Sequence, residues 1–109
     1  MTAEFIQLQI TYPTREEAEA ASRFLVAERW AACAQLLGPL ESRYVWAGKT
    51  ENSEEFLLLA KTRAVLFDAV AAAISKRHSY DVPQIVGVPL AFVAPSYAVW
   101  LDAQIRVPN

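Results

Sequence analysis

Residues 5–21 read Phe5-Ile6-Gln7-Leu8-Gln9-Ile10-Thr11-Tyr12-Pro13-Thr14-Arg15-Glu16-Glu17-Ala18-Glu19-Ala20-Ala21, and the spacing of apolar side chains changes inside this stretch. Ile6, Leu8, Ile10 and Tyr12 alternate with Gln7, Gln9 and Thr11, which puts the apolar set on one face of an extended strand. Pro13 stops that run. Thr14-x-x-Glu17 is a capping box, in which each side chain can satisfy an unpaired N–H at a helix start. Ala18, Ala21 and Leu25 follow at helical spacing, so a helix is expected to about Arg29, its alanines allowing close approach to a sheet.

Outward from this β-then-α unit, Cys33 to Trp46 returns to a strand pattern, with a bulge or bend expected at Gly38-Pro39. Tyr44 and Trp46 share a face, and the polar segment Ala47 to Ser53 reads as the connection to a third strand, Glu54 to Lys61. The core of that strand, Phe56 to Ala60, is apolar on both faces and needs covering on both. Thr62 is expected to cap a second helix carrying Leu66, Val70 and Ile74, with Lys76, Arg77 and His78 complementing the negative end of its dipole. After a loop from Ser79 to Pro83, a fourth strand is expected over Ile85 to Phe92, with Pro89 arguing for an edge or bulged position. Pro95 suits the first position of a last helix, where its missing N–H costs nothing, and Tyr97, Trp100 and Leu101 form the packing stripe. The order is βαββαβ plus a C-terminal helix: an α+β, ferredoxin-like split βαβ fold with an antiparallel sheet.

The 109 residues fit one domain, 1–109, since no stretch resembles a linker between two cores. A hydrophobic content of 54% is high for so small a domain, and the surplus points to contact with further copies of the chain. The net charge of −2, with scattered Lys and Arg, offers no footprint for nucleic acid. No stretch approaches the length needed to cross a bilayer, so no membrane partner is expected. Met1 to Tyr12 lacks the basic and continuous apolar regions of a signal peptide, and the single cysteine suits a reducing compartment; a cytoplasmic location is the expectation.

Five fragments carry a family resemblance: Arg29-x-Ala31-Ala32-Cys33, Ser42-x-Tyr44-x-Trp46-x-Gly48-Lys49, Glu54-Glu55-x-Leu57-Leu58-Leu59-x-Lys61-Thr62, His78-x-Tyr80-Asp81-Val82-Pro83 and Tyr97-x-x-Trp100-Leu101. In order and spacing they resemble the CutA family of divalent-cation tolerance proteins. The resemblance implies a ferredoxin-like subunit, a homotrimer built by sheet contacts, and an association with tolerance to copper and other divalent metals, with no established reaction. The chain departs from the family pattern at Gln35, Ser79, Gln84, Ala94 and the Gly38-Pro39 order. Gln84 replaces an acidic side chain, and an amide is a weaker cation ligand.

Candidate metal ligands are His78, Asp81 and Cys33, for copper or zinc. Cys33 has a competing reading as a buried small side chain, and His78 one as a partner of the helix dipole. Tyr80 and Asp81 have a competing reading as a structural turn, and the resemblance places them toward a ligand. Lys61 stands on the face of the third strand that also carries Glu55, and either could frame a pocket or be a solvated strand end. Solvation is the reading preferred for Glu55. Tyr44, Trp46 and Trp100 are read as interface anchors and Trp30 as packing.

No nucleophile–base pair or glycine-rich phosphate cradle is evident, so an enzyme is not expected. The expected function is a homotrimer associated with divalent-cation tolerance that binds a metal ion or small ligand near subunit boundaries. The alternative is a PII-like regulatory trimer holding a nucleotide or metabolite in inter-subunit clefts.

Overall fold

A computed structural model describes residues 4–108. The elements are β1 (Phe5–Tyr12), α1 (Arg15–Ala27), β2 (Cys33–Trp46), β3 (Lys49–Arg63), a 3-10 turn (Ala64–Leu66), α2 (Phe67–Ser75), β4 (Ile85–Pro89) and α3 (Pro95–Gln104). The four strands form one antiparallel sheet in the order β2-β3-β1-β4, the arrangement expected of a ferredoxin-like α+β fold. β4 is an edge strand, which accommodates Pro89.

The alternation in β1 decides which face is the core. Leu8 and Ile10 pair with Ala60 and Leu58 of β3, and all four are fully buried. Ala18, Ala21 and Leu25 of α1 and Val70 and Ile74 of α2 are buried with them in one apolar cluster, so both helices cover this face. Thr14 caps α1 as read, its Oγ1 accepting from the Glu17 N–H at 3.2 Å. A Cβ at Gly87 of β4 would lie 2.8 Å from Ile6 Cδ1 and 3.1 Å from the Phe67 ring, so a side chain there would displace the tip of Ile6.

The opposite face carries Gln7 and Gln9 of β1, Leu37 of β2, Leu57, Leu59 and Lys61 of β3, and Val86 and Val88 of β4, all in register. Leu37, Val86 and Val88 are exposed. α3 crosses only one end of this face, where Arg63 donates to the Asp102 carboxylate at 2.6 Å and to the Asp102 carbonyl at 2.8 Å.

Four boundaries differ from the sequence expectation. Thr62 does not cap a helix: β3 continues to Arg63 because β1 pairs with it to its first residue, Phe5, and the buried Thr62 hydroxyl donates to the Trp30 carbonyl at 2.6 Å. Ala47 to Ser53 is not a long connection, since Ala47 and Gly48 take φ of 51° and 76°, the pair of positive values of a two-residue hairpin turn, and β3 starts at Lys49. β4 ends at Pro89, leaving Phe92 outside the sheet and 96% exposed. α1 stops at Ala27, as Arg29 turns to a φ of 59°. The bend at Gly38-Pro39 is present as a register shift between Leu37 and Leu40.

Candidate functional site

The hairpin of β2 and β3 projects beyond the core, and the loop after α2 lies against it, leaving a cleft of about 660 Å³ between them. Ser42, Arg43, Tyr44 and Trp46 line it from β2, Glu55 from β3, Thr11 from β1, and Ser79 to Val82 with Gln84 from the loop. Aromatic walls with a few converging polar groups are the usual make-up of a small-molecule site.

Glu55 is only 6% exposed, and the Tyr80 hydroxyl donates to its Oε2 at 2.8 Å. Burial, and then this bond to Glu55, pushes the Tyr80 phenol well above the ordinary tyrosine range. Tyr80 is therefore a donor throughout the physiological pH range, and a carboxylate that lies away from water stays paired. On the hairpin the Ser53 hydroxyl of β3 donates to the oxygen of cleft-lining Tyr44 on β2 at 3.3 Å.

His78 sets the loop. Its side chain is 0% exposed, stacked on Tyr12 with ring centroids 4.3 Å apart. Nδ1 accepts the Tyr80 N–H at 3.0 Å, which leaves the proton on Nε2, 2.8 Å from the Thr11 carbonyl to which it donates. The Ser79 N–H donates to Glu17 Oε2 at 3.0 Å, so this glutamate anchors the loop to α1. Burial, and then the Glu17 carboxylate, pushes the Tyr12 phenol up as well.

The residues singled out by sequence fall into two places. Tyr80 and Asp81 are together in the cleft, with Glu55 beside them. Glu55 is thus a buried partner of Tyr80 and not a solvated strand end; the two are far apart in sequence, and nothing local marks the pairing. Cys33 and Lys61 face each other across β2 and β3 at the α3 end of the sheet, the Lys61 amine 3.9 Å from Cys33 Sγ and the Tyr97 oxygen 3.7 Å from it. His78, Asp81 and Cys33 do not assemble as one metal site, because both His78 ring nitrogens are taken by the backbone and Cys33 is hydrogen-bonded to Lys61 and Tyr97. Among the described residues no three His, Cys, Asp or Glu side chains are grouped to hold an ion. Arg77 likewise does not serve the end of α2; its guanidinium lies 4.0 Å from the centre of the Phe24 ring. Trp30 is packing as read, with Arg106 over its ring at 3.7 Å.

The model of the CutA1 divalent ion tolerance proteins matches residues 6–104. The chain belongs to this family. It is 32% identical over 105 residues to the chloroplastic protein CutA of Arabidopsis thaliana, an alignment that covers 96% of this chain and 58% of that protein. The chain thus spans under three-fifths of that relative. The divalent cation tolerance protein of Thermus thermophilus superimposes with a TM-score of 0.91 at 34% identity, covering 94% of this chain and 99% of that one. The CutA structure from Archaeoglobus fulgidus, described as a periplasmic divalent cation tolerance protein, gives 0.90 at 31% identity and covers 94% and 99%.

These relatives correct the expectation of a cytoplasmic protein, since CutA proteins this similar are named chloroplastic and periplasmic. The features behind that expectation, an unsuitable signal-peptide pattern and a lone thiol, do not distinguish among compartments that CutA proteins occupy. No helix among the described residues is long and apolar enough to cross a membrane.

Proposed function

We propose that this CutA1 protein acts in divalent-cation tolerance as a homotrimer whose hairpin clefts, lying near subunit boundaries, bind a small ligand without catalysing a reaction. The observation that carries the reading is the Tyr80–Glu55 hydrogen bond at the floor of a cleft walled by Tyr44 and Trp46. It presents a fixed donor–acceptor pair beside two aromatic surfaces, with exposed Asp81 on the loop and Arg43, ion-paired to Glu41 at 2.7 Å, on the hairpin. Trp46 is 58% exposed and can serve both as a stacking surface and as an anchor for an adjacent subunit.

The trimer is supported by the sheet face that α1 and α2 leave uncovered. Leu37, Val86 and Val88 are exposed there, beside half-buried Leu57 and Leu59, and apolar surface of this kind marks an association site. The same face on two further copies, arranged about a three-fold axis, is the simplest cover consistent with a trimer. The groups that chemistry would need are already engaged: His78 by backbone, Tyr80 by Glu55, and Cys33 by Lys61 and Tyr97.

Divalent cations are held weakly on this reading, in the micromolar range or looser, because one cleft offers only Glu55 and Asp81 as charged oxygen donors and the first is committed to Tyr80. Isothermal titration with copper, zinc and adenine nucleotides, with sedimentation velocity on the same samples, tests the proposal. The expected result is a trimer with weak cation binding that Tyr80→Phe and Trp46→Ala alter. A monomer, or tight metal binding indifferent to both variants, contradicts it. Tight adenine-nucleotide binding would move the assignment to a regulatory trimer.

A further inference from the structure

Glu55 is, among the described residues, the one charged side chain that is buried. Its neighbour Phe56 pairs with Tyr12, the end of β1, so Glu55 lies just past the four-stranded part of the sheet on which assembly is proposed to rest. There it lines the cleft. Its two oxygens differ. Oε2 accepts the Tyr80 hydroxyl at 2.8 Å, whereas Oε1 accepts no hydrogen bond from the described residues. No sealed-off side-chain oxygen or nitrogen among them lacks a partner, so Oε1 is reachable from the cleft.

This carboxylate has no cation of its own. Among the described residues no Lys, Arg or His nitrogen forms an ion pair with Glu55. Arg43, the cationic side chain lining the cleft, is engaged by Glu41 at 2.7 Å. The loop adds Asp81, exposed and likewise outside the ion pairs of the described residues. The cleft therefore holds two carboxylates and no free positive group. A carboxylate drawn out of water is costly unless a cation meets it, and here that cation has to come from outside the subunit.

The surroundings favour an organic cation over a metal ion. Copper and zinc take three or four ligands, and among the described residues no three suitable side chains are grouped. An ammonium group needs one carboxylate oxygen, and the carbon attached to it needs apolar or aromatic surface. Tyr44 and Trp46, 43% and 58% exposed, supply that surface along the hairpin. Tyr44 is drawn toward the Glu55 end by the Ser53 hydroxyl, and Ser53 stands two residues before Glu55, on the same face of β3.

We propose that the cleft takes a small organic cation, whose primary ammonium group donates to Glu55 Oε1 and whose carbon body lies along Tyr44 toward Trp46. Tyr80 is a positioning residue: by occupying Oε2 it leaves Oε1 as the acceptor presented to the ligand. The inference rests on the cleft being the binding site and adds the charge class of what it binds.

The test is to titrate the assembled protein at neutral pH with phenethylamine, 2-phenylethanol, phenylacetate and zinc chloride in turn, following ¹H–¹⁵N spectra. The three organic probes share a ring and differ in charge, so the comparison needs no variant. Phenethylamine, a cation at neutral pH, should shift the Glu55 and Tyr80 amides and the Trp46 indole N–H. It should bind at least about ten-fold tighter than 2-phenylethanol, as a charge-assisted hydrogen bond requires, with phenylacetate weakest. Glu55→Gln keeps a carbonyl for the Tyr80 hydroxyl and should bring the amine and the alcohol to within about two-fold. Equal binding of amine and alcohol, a preference for phenylacetate, an amine preference that survives Glu55→Gln, or zinc displacing the amine as the tighter ligand would each overturn the organic cation while leaving the cleft as the site. No shift at the cleft with any probe would overturn both.

Discussion

Replacing Tyr80 by Phe removes one atom, the oxygen that donates to Glu55 at 2.8 Å, and keeps the ring that lies 4.9 Å from the His78 ring. The Tyr80 N–H bond to His78 also remains, because it belongs to the backbone. What changes is Glu55. At 6% exposure its carboxyl cannot recover the lost partner from bulk water without movement of the hairpin or the loop. A hydrogen bond to a charged group contributes about 1.5–3 kcal/mol, and the penalty for a buried unpaired acceptor falls in the same range, so a loss near 2 kcal/mol per chain is expected. For a chain of 109 residues with an unfolding entropy of about 2.1 cal/mol/K per residue, that corresponds to a fall in Tm of about 9 °C. Calorimetry at fixed protein concentration is the assay, since assembly makes Tm concentration-dependent. Adding Glu55→Gln removes the stranded charge, so the double variant should be less destabilised than the sum of the two single ones. A Tyr80→Phe protein within about 0.5 kcal/mol of the parent would refute the claim that this bond organises the cleft.

Alkaline pH should destabilise the protein through Tyr12 and Tyr80, whose folded phenols are both pushed above the unfolded value of 10.0. Their contribution is fully present below pH 10 and is lost as pH rises toward the folded values, because the unfolded chain releases protons that the folded one retains; for fully buried Tyr12 the slope approaches about 1.4 kcal/mol per pH unit, measurable by urea titration at stepped pH. Gly38→Ala should cost more than about 1–3 kcal/mol, since φ is 149° and the new Cβ would stand 2.7 Å from Phe56 Cδ1 and 3.1 Å from the Glu55 carbonyl; chemical denaturation checks it. Arg63→Ala should loosen the C-terminal segment, because its guanidinium, mostly shielded from solvent, holds the Asp102 carboxylate and the carbonyls of Asp102 and Arg106; hydrogen exchange over Pro95–Gln104 should rise while that of β1 is unchanged.

Local signals in the sequence were reliable where one element satisfies its own chemistry. The alternation of Ile6, Leu8 and Ile10 identifies the core face of β1, Thr14 caps α1, and Pro95 opens α3. Local signals mislead where a distant partner outweighs a local preference. Thr62 looks like a helix cap, but pairing with β1 keeps it in a strand and Trp30 supplies its acceptor. The polar run after Gly48 looks like a loop because it lies outside the core, where hairpin pairing does not require apolar alternation. Tyr80 and Asp81, which line the cleft, belong to one short local motif, whereas the burial of Glu55 depends on a tyrosine from a loop that follows a whole helix and leaves no local signal. His78 drew attention as a ligand for its chemistry, yet both its nitrogens are committed to the backbone that shapes the loop.

The central claim, that the hairpin cleft is the binding site, is tested most directly by ¹H–¹⁵N spectra of the assembled protein titrated in turn with zinc and with small planar polar ligands. The Trp46 indole N–H and the amides of Glu55, Tyr80 and Asp81 should shift together and saturate with one affinity, and Tyr80→Phe should weaken that affinity. Shifts that gather at Cys33, Lys61 and Tyr97, with the cleft amides unmoved, would contradict the account.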